Sequence, residues 1–169
     1  MWCGTRFEEL MKQWFETDPT LCSQYDAVQV WSEWDHNENT HDSGIDLVAR
    51  TIATDEWTAV QCKFYDPKHR LQKSDIDSFF IASGKTWDGI AFTNRVIISA
   101  TDRWSHHAEK ALENQSIPVQ RIRLADLADS PIDWMFHDGR SVEVRRALLV
   151  VELTPHAESM ELTQRVPCG

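Results

Sequence analysis

At 169 residues, 41% of them hydrophobic and 26% charged, the chain has the length and composition of one soluble domain with a substantial core. No apolar run approaches the ~20 residues of a membrane-crossing helix, and the N-terminus lacks the basic-then-apolar pattern of a signal peptide, so a cytoplasmic setting away from any membrane is expected by default. The 17 Lys and Arg against 27 Asp and Glu give a formal net charge of −10, the reverse of the basic balance usual in a domain that grips nucleic acid unaided.

Cys3, Cys22, Cys62 and Cys168 show no C-x-x-C spacing, which argues against a zinc site, and reduced, mostly buried thiols are expected. In chain order, Phe7, Leu10, Met11, Trp14 and Phe15 fall at helical spacing and predict a helix over Thr5 to Thr17. Thr5 with Glu8 has the capping-box pattern, and Asp18-Pro19 ends the helix because the proline disfavours helical geometry before it. A strand is predicted over Tyr25 to Trp34, then a loop with no apolar residue from Asp35 to Gly44.

Ile45 to Arg50 and Trp57 to Tyr65 read as a hairpin, and Asp66 to Arg70 as a basic-leaning turn. A helix over Lys73 to Lys85 follows, with Ile76, Phe79 and Phe80 on one face. Arg95 to Ala100 is apolar enough for a fully buried central strand. Thr101-Asp102 can cap a helix over Arg103 to Gln115, Ile117 to Ile122 reads as a strand, and Leu124 to Leu127 as a short helix. Strands alternating with helices in the second half imply a sheet that is parallel there and antiparallel at the hairpin. Past Met135 the pattern weakens, so a domain over 1–134 with a C-terminal extension over 135–169 is expected.

The hairpin places polar residues where apolar ones are usual. Asp46 interrupts Ile45-Leu47-Val48, while Gln61 and Lys63 stand two apart after Ala59-Val60. Alternation along a strand puts Gln61 and Lys63 on one face and Cys62 on the other, so paired strands can bring a carboxylate, an amide and an ammonium together. Such a set suits phosphodiester hydrolysis. Mg²⁺ accepts one or two carboxylates and keeps several waters, with Mn²⁺ as the alternative. Asp46 is the natural first ligand, the Gln61 side-chain oxygen and the backbone carbonyl of Cys62 can supply others, and Lys63 is placed to orient water or stabilise charge. On spacing alone, a plain cross-strand ion pair explains Asp46 and Lys63 equally well.

Gly44-Ile45-Asp46-Leu47-Val48-Ala49 with Val60-Gln61-Cys62-Lys63-Phe64-Tyr65 resembles the Mrr-like branch of the PD-(D/E)xK nuclease superfamily, in which glutamine replaces the usual acid of the (D/E)xK half. Phe7-Glu8, Asp18-Pro19, Trp31-Ser32-Glu33-Trp34, Asp75-Ile76-Asp77-Ser78-Phe79, Ala82-Ser83-Gly84-Lys85 and Ile132-Asp133-Trp134 extend the likeness. Together they resemble the N-terminal nuclease of single-polypeptide Type ISP restriction-modification enzymes, over roughly residues 5 to 134. The resemblance implies an α/β restriction-endonuclease-like fold, a central mixed β-sheet flanked by helices.

It also implies metal-dependent cleavage of double-stranded DNA, with Asp46 as metal-binding acid, Gln61 and Lys63 completing the catalytic motif, and Glu8 as an accessory acid in place of its capping role. A second nuclease copy or other restriction-modification subunits are the implied partners. Neither a G-x-x-x-x-G-K-[ST] phosphate loop nor a methyltransferase motif occurs in these residues, so a nuclease module without its motor and reader is expected. A catalytically inactive binding module and a junction or repair nuclease are the alternative readings. Lys73 has a phosphate contact or a plain surface place open to it, and Glu33 the site face or solvent. His36, His41, His106 and His107 are expected to be solvated or too divergent to share a metal. Most of the eight tryptophans are expected in the core.

Overall fold

The computed structural model of the protein describes residues 2–40, 43–134 and 143–144. The chain runs α1 (Trp2–Thr17), α2 (Pro19–Gln24), β1 (Tyr25–Val30), β2 (Leu47–Thr51), β3 (Trp57–Lys63), α3 (Asp77–Ser83), β4 (Thr86–Trp87), β5 (Ile90–Ser99), α4 (His106–Lys110), β6 (Val119–Ile122), α5 (Leu124–Asp129), β7 (Ile132–Asp133) and β8 (Glu143–Val144). Apart from β8, which pairs with β7, the expected extension over 135–169 lies outside the described residues.

β1, β2 and β3 pair antiparallel, and β3 then pairs parallel with β5, which pairs parallel with β6. This is the mixed sheet that the alternation of elements implies. Period-two alternation sorts its side chains into two cores. Leu47, Ala49, Val60, Cys62, Val96 and Ile98 face α1, meeting Phe7, Met11, Trp14 and Phe15. Val48, Ala59 and Ile97 face the opposite way, onto Phe79 and Ala82 of α3, Ala108 of α4, and Trp31, Trp34 and Trp104. Five of the tryptophans (14, 31, 34, 87 and 104) are buried, so packing is their main use.

Several boundaries differ from the sequence reading. α1 starts at Trp2, so Thr5 lies inside the helix and cannot cap it. Asp18-Pro19 ends α1 and at once begins α2. The Asp18 carboxylate accepts from the Thr20 and Leu21 amides at 2.9 and 3.2 Å, and Pro19 stands at the first helical position, where its missing N–H costs nothing. β1 stops at Val30 and the chain tightens into a 3-10 turn at Trp31–Glu33. The helix expected from Lys73 divides into a 3-10 turn, Lys73–Asp75, and α3.

The helix expected over Arg103 to Gln115 shrinks to α4, capped by Ser105 rather than Thr101. Thr101 is engaged elsewhere: its hydroxyl reaches the Pro67 and His69 carbonyls at 3.2 and 2.7 Å. β4 and the early start of β5 come from a two-residue turn, Asp88-Gly89, both with positive φ as a tight right-twisted hairpin requires. Cys62 is a free, buried thiol, whereas Cys22 is disulfide-bonded, correcting the expectation of reduced cysteines throughout. Sequence spacing carries no record of which cysteines the fold brings within bridging distance.

Candidate active site

Asp46 stands at the entrance to β2, with its backbone fastened on both sides. Its N–H donates to the Val60 carbonyl at 2.9 Å, and its carbonyl accepts from the Trp31 amide at 2.8 Å. The antiparallel register pairs Leu47 with Val60, so one step earlier Asp46 faces Gln61. The carboxylate oxygen Oδ2 accepts from the Cys62 amide at 2.6 Å. Charge-assisted bonds of this length fix a carboxylate in one orientation.

Gln61 is fully buried. Its Nε2 donates to the Gly44 carbonyl at 3.0 Å, while Oε1 is buried with no hydrogen-bond partner among the described residues. An unsatisfied buried oxygen costs about 1–3 kcal/mol. Gln61 Oε1 differs from the other such oxygens among the described residues, Gln13 Oε1 and Thr58 Oγ1, in belonging to the residue paired across from Asp46. Gly44 makes the clasp feasible. Its φ of +81° suits glycine, and a Cβ there would lie 2.6 Å from Ser78 Oγ and 3.0 Å from the Phe79 nitrogen. The sequence reading passed over this glycine as a holder of Gln61; its place two residues before Asp46 was the available signal.

Strand geometry extends the oxygen set. The N–H and C=O of one strand residue point to the same side, and the Cys62 amide points at Asp46, so the Cys62 carbonyl projects toward that side as well. The next carbonyl along, that of Lys63, points the other way and accepts from the Ala100 amide at 3.0 Å. No cluster of three or more His, Cys, Asp or Glu occurs among the described residues. The donors gathered here are mixed oxygens: one carboxylate, one orphaned amide oxygen and one strand carbonyl. That set fits a hard cation that keeps part of its water shell.

Glu8 reaches the same end of the sheet from α1, where neighbouring Phe7 stacks on Phe64 with ring centroids 5.2 Å apart. Withdrawal from water raises the Glu8 carboxyl above its usual range, and the Lys63 ammonium pulls it part of the way back. Burial pushes the Cys62 thiol well above its usual value. The Asp46 and Glu8 carboxylates add to that push, and Lys63 opposes it. Glu8, Asp46 and Lys63 therefore share one electrostatic neighbourhood around the end of β3. With Thr5 excluded as a cap, the helix-capping alternative for Glu8 lapses.

The other residues singled out from sequence lie elsewhere. Lys73 is ion-paired with Asp77, and Glu33 is exposed with Lys12 at 3.8 Å. His106 and His107 are exposed, and His36 bonds Asp88 at 2.7 Å. His41 lies outside the described residues.

A family model described as a restriction endonuclease, of the Mrr catalytic type, matches residues 16–143, a span that holds Asp46, Gln61 and Lys63. Among solved structures, the chain is similar to the ATP-dependent Type ISP restriction-modification enzyme LlaBIII bound to DNA, at 30% identity and a TM-score of 0.71 over 85% of this chain. It spans 9% of that enzyme's length. Comparison with curated proteins finds no match. With a mixed sheet of this topology, and a family match over most of its length, the chain belongs to the restriction endonuclease family.

Proposed function

We propose that this chain is the cutting module of a restriction system, a metal-dependent endonuclease acting on double-stranded DNA. The observation that carries the reading is the orphaned, buried Oε1 of Gln61 on the residue paired across from Asp46, whose carboxylate is fixed by the Cys62 amide, with Lys63 two residues along the same strand. Asp46, Gln61 Oε1 and the Cys62 carbonyl would hold the cation, Mg²⁺ or alternatively Mn²⁺. When bound, the cation supplies charge neutralisation at the phosphoryl oxygens and lowers the pKa of a coordinated water.

The chain's own groups do the remainder. Lys63 lays a positive charge against a non-bridging phosphate oxygen as negative charge builds there. Glu8, a stronger base than an ordinary carboxylate because it is half-withdrawn from water, accepts a proton from the attacking water. The new P–O bond forms as the bond to the departing sugar oxygen breaks, and solvent returns a proton to that oxygen.

Plasmid nicking in Mg²⁺ tests this. Wild type is expected to convert supercoiled plasmid to open-circle or linear DNA. Asp46→Ala and Lys63→Ala are each expected to lower the rate by two orders of magnitude or more, at unchanged circular dichroism. Retained cleavage by either variant would remove the assignment, and a wild type that neither cuts nor binds Mg²⁺ or Mn²⁺ by calorimetry would favour a non-catalytic binding module.

A further inference from the structure

β3 and β5 run parallel, so both release their chains at the same end, where Lys63 and Ala100 are joined by a hydrogen bond. The two released segments, 64–71 and 101–105, are then stapled together. The Thr101 hydroxyl holds the Pro67 and His69 carbonyls, the Leu71 amide donates to the Arg103 carbonyl at 2.8 Å, and the Ser105 amide donates to the Leu71 carbonyl at 2.9 Å. The result is a rigid corner presenting Lys68, Arg70 and Arg103, all exposed.

These three share one stapled corner, whereas the other exposed cations without an ion pair among the described residues, Arg6, Lys85 and Lys110, lie on three separate stretches of the chain. Lys12, Arg50, Lys73, Arg121 and Arg123 are each ion-paired to an acidic side chain. Lys68, Arg70 and Arg103 have no ion pair among the described residues. The corner's own acids are turned onto amides: Asp66 accepts from the Lys68 nitrogen at 2.8 Å, and Asp102 from the Leu124 nitrogen at 3.0 Å. In a chain of net charge −10, three exposed cations against two carboxylates already engaged by amides leave this pinned surface locally positive, which suits it to bind an anion.

The geometry points to Lys68, Arg70 and Arg103 as a phosphate clamp that grips the DNA backbone flanking the cleaved bond. This rests on the nuclease reading above and deepens it. Lys68 is five residues beyond Lys63, at most about 18 Å of extended chain, or roughly five base-pair rises. Because the strands and the Thr101 staple fix the corner, a strand held there is delivered to Lys63 in one register. The clamp binds charge and reads no sequence.

The test is fluorescence anisotropy of the full chain on a labelled linear duplex in EDTA, titrated across NaCl concentrations, with plasmid cleavage kinetics in Mg²⁺ alongside. Lys68→Gln/Arg70→Gln/Arg103→Gln is expected to reduce the log Kd against log salt slope by about three, roughly one per contact removed. It is also expected to raise KM tenfold or more while kcat at saturating DNA stays within about twofold. Arg50→Gln/Lys85→Gln/Lys110→Gln makes the same charge change away from the corner and is expected to alter the slope by less than one. Equal slopes for the two triple variants, or a corner variant indistinguishable from wild type, would overturn the clamp and leave the nuclease standing. A wild type that neither binds nor cuts duplex DNA would take down the nuclease reading itself.

Discussion

A carboxyl group half-withdrawn from water costs the fold free energy whenever it is ionised, and Glu8 is in that position. Its folded pKa lies above the unfolded value, with desolvation outweighing the attraction of Lys63. A raised pKa means that stability is fully present below the unfolded value of about 4.5 and is lost as pH rises through the folded one. At neutral pH the protein therefore carries a standing cost at Glu8. Glu8→Gln keeps the shape without the charge, so it is expected to raise Tm at pH 7, to lose that advantage at pH 4, and to slow cleavage more than tenfold. Scanning calorimetry at the two pH values checks the sign. A lower Tm at pH 7 would mean that Glu8 is a structural partner of Lys63 and not a strained group kept for chemistry.

At the scale of elements, α3 is short, and its attachment to the sheet depends on a buried guanidinium. Arg95 on β5 donates to Ser83 Oγ at 2.7 Å, to the Phe80 carbonyl at 3.1 Å and to Gln115 Oε1 at 3.2 Å, and lies over the Phe80 ring at 5.1 Å. Burial lowers its pKa, yet it satisfies the last turn of α3, where the helix dipole is negative. Arg95→Met keeps the apolar stem but strips the donors, and urea unfolding is expected to show a loss of about 1–3 kcal/mol. An unchanged midpoint would mean that Phe79 and Ala82 hold the helix by packing alone. Nothing local announced this tie. Arg95 opened a run read as a buried strand, which is correct, but its partners lie 12 to 20 residues away in sequence and only the fold unites them. The same limit explains the other misses. Mixed pairing, the two-faced alternation and the Asp46–Gln61 juxtaposition follow from strand period and were legible. The Asp18 cap is local, an Asp-Pro pair opening a helix, and that signal stood in the sequence. The Thr101 staple and the Gly44 clasp, by contrast, each join a side chain to a backbone group whose position is set by tertiary contact. Trp14 Nε1, Ser130 Oγ and Asp18 Oδ2 form a buried chain of bonds, 2.9 and 2.8 Å long, across more than a hundred residues, out of reach of any window on the sequence.

For the molecule as a whole, the sheet and α1 gather two of its 27 acidic residues, Asp46 and Glu8, at one end of β3 with Lys63 as their near counter-charge. Without a cation, that arrangement sets two carboxylates in one field and leaves Gln61 Oε1 unsatisfied. A divalent ion that bound only the folded state would relieve both, and at a hundredfold excess over Kd it would stabilise by about 2.7 kcal/mol. For a domain of this size, that is a rise in Tm of roughly 5–10 °C. Mg²⁺ added at constant ionic strength is expected to produce such a rise in wild type and to produce almost none in Asp46→Asn. Lys63→Ala is expected to keep the full shift, or enlarge it, because it removes a like charge from beside the ion while sparing the oxygen donors. The three proteins together separate a built site from general screening. Screening of a −10 surface would raise all three melting temperatures alike, and that outcome would refute cation binding at Asp46 and Gln61 whatever the plasmid assay returned.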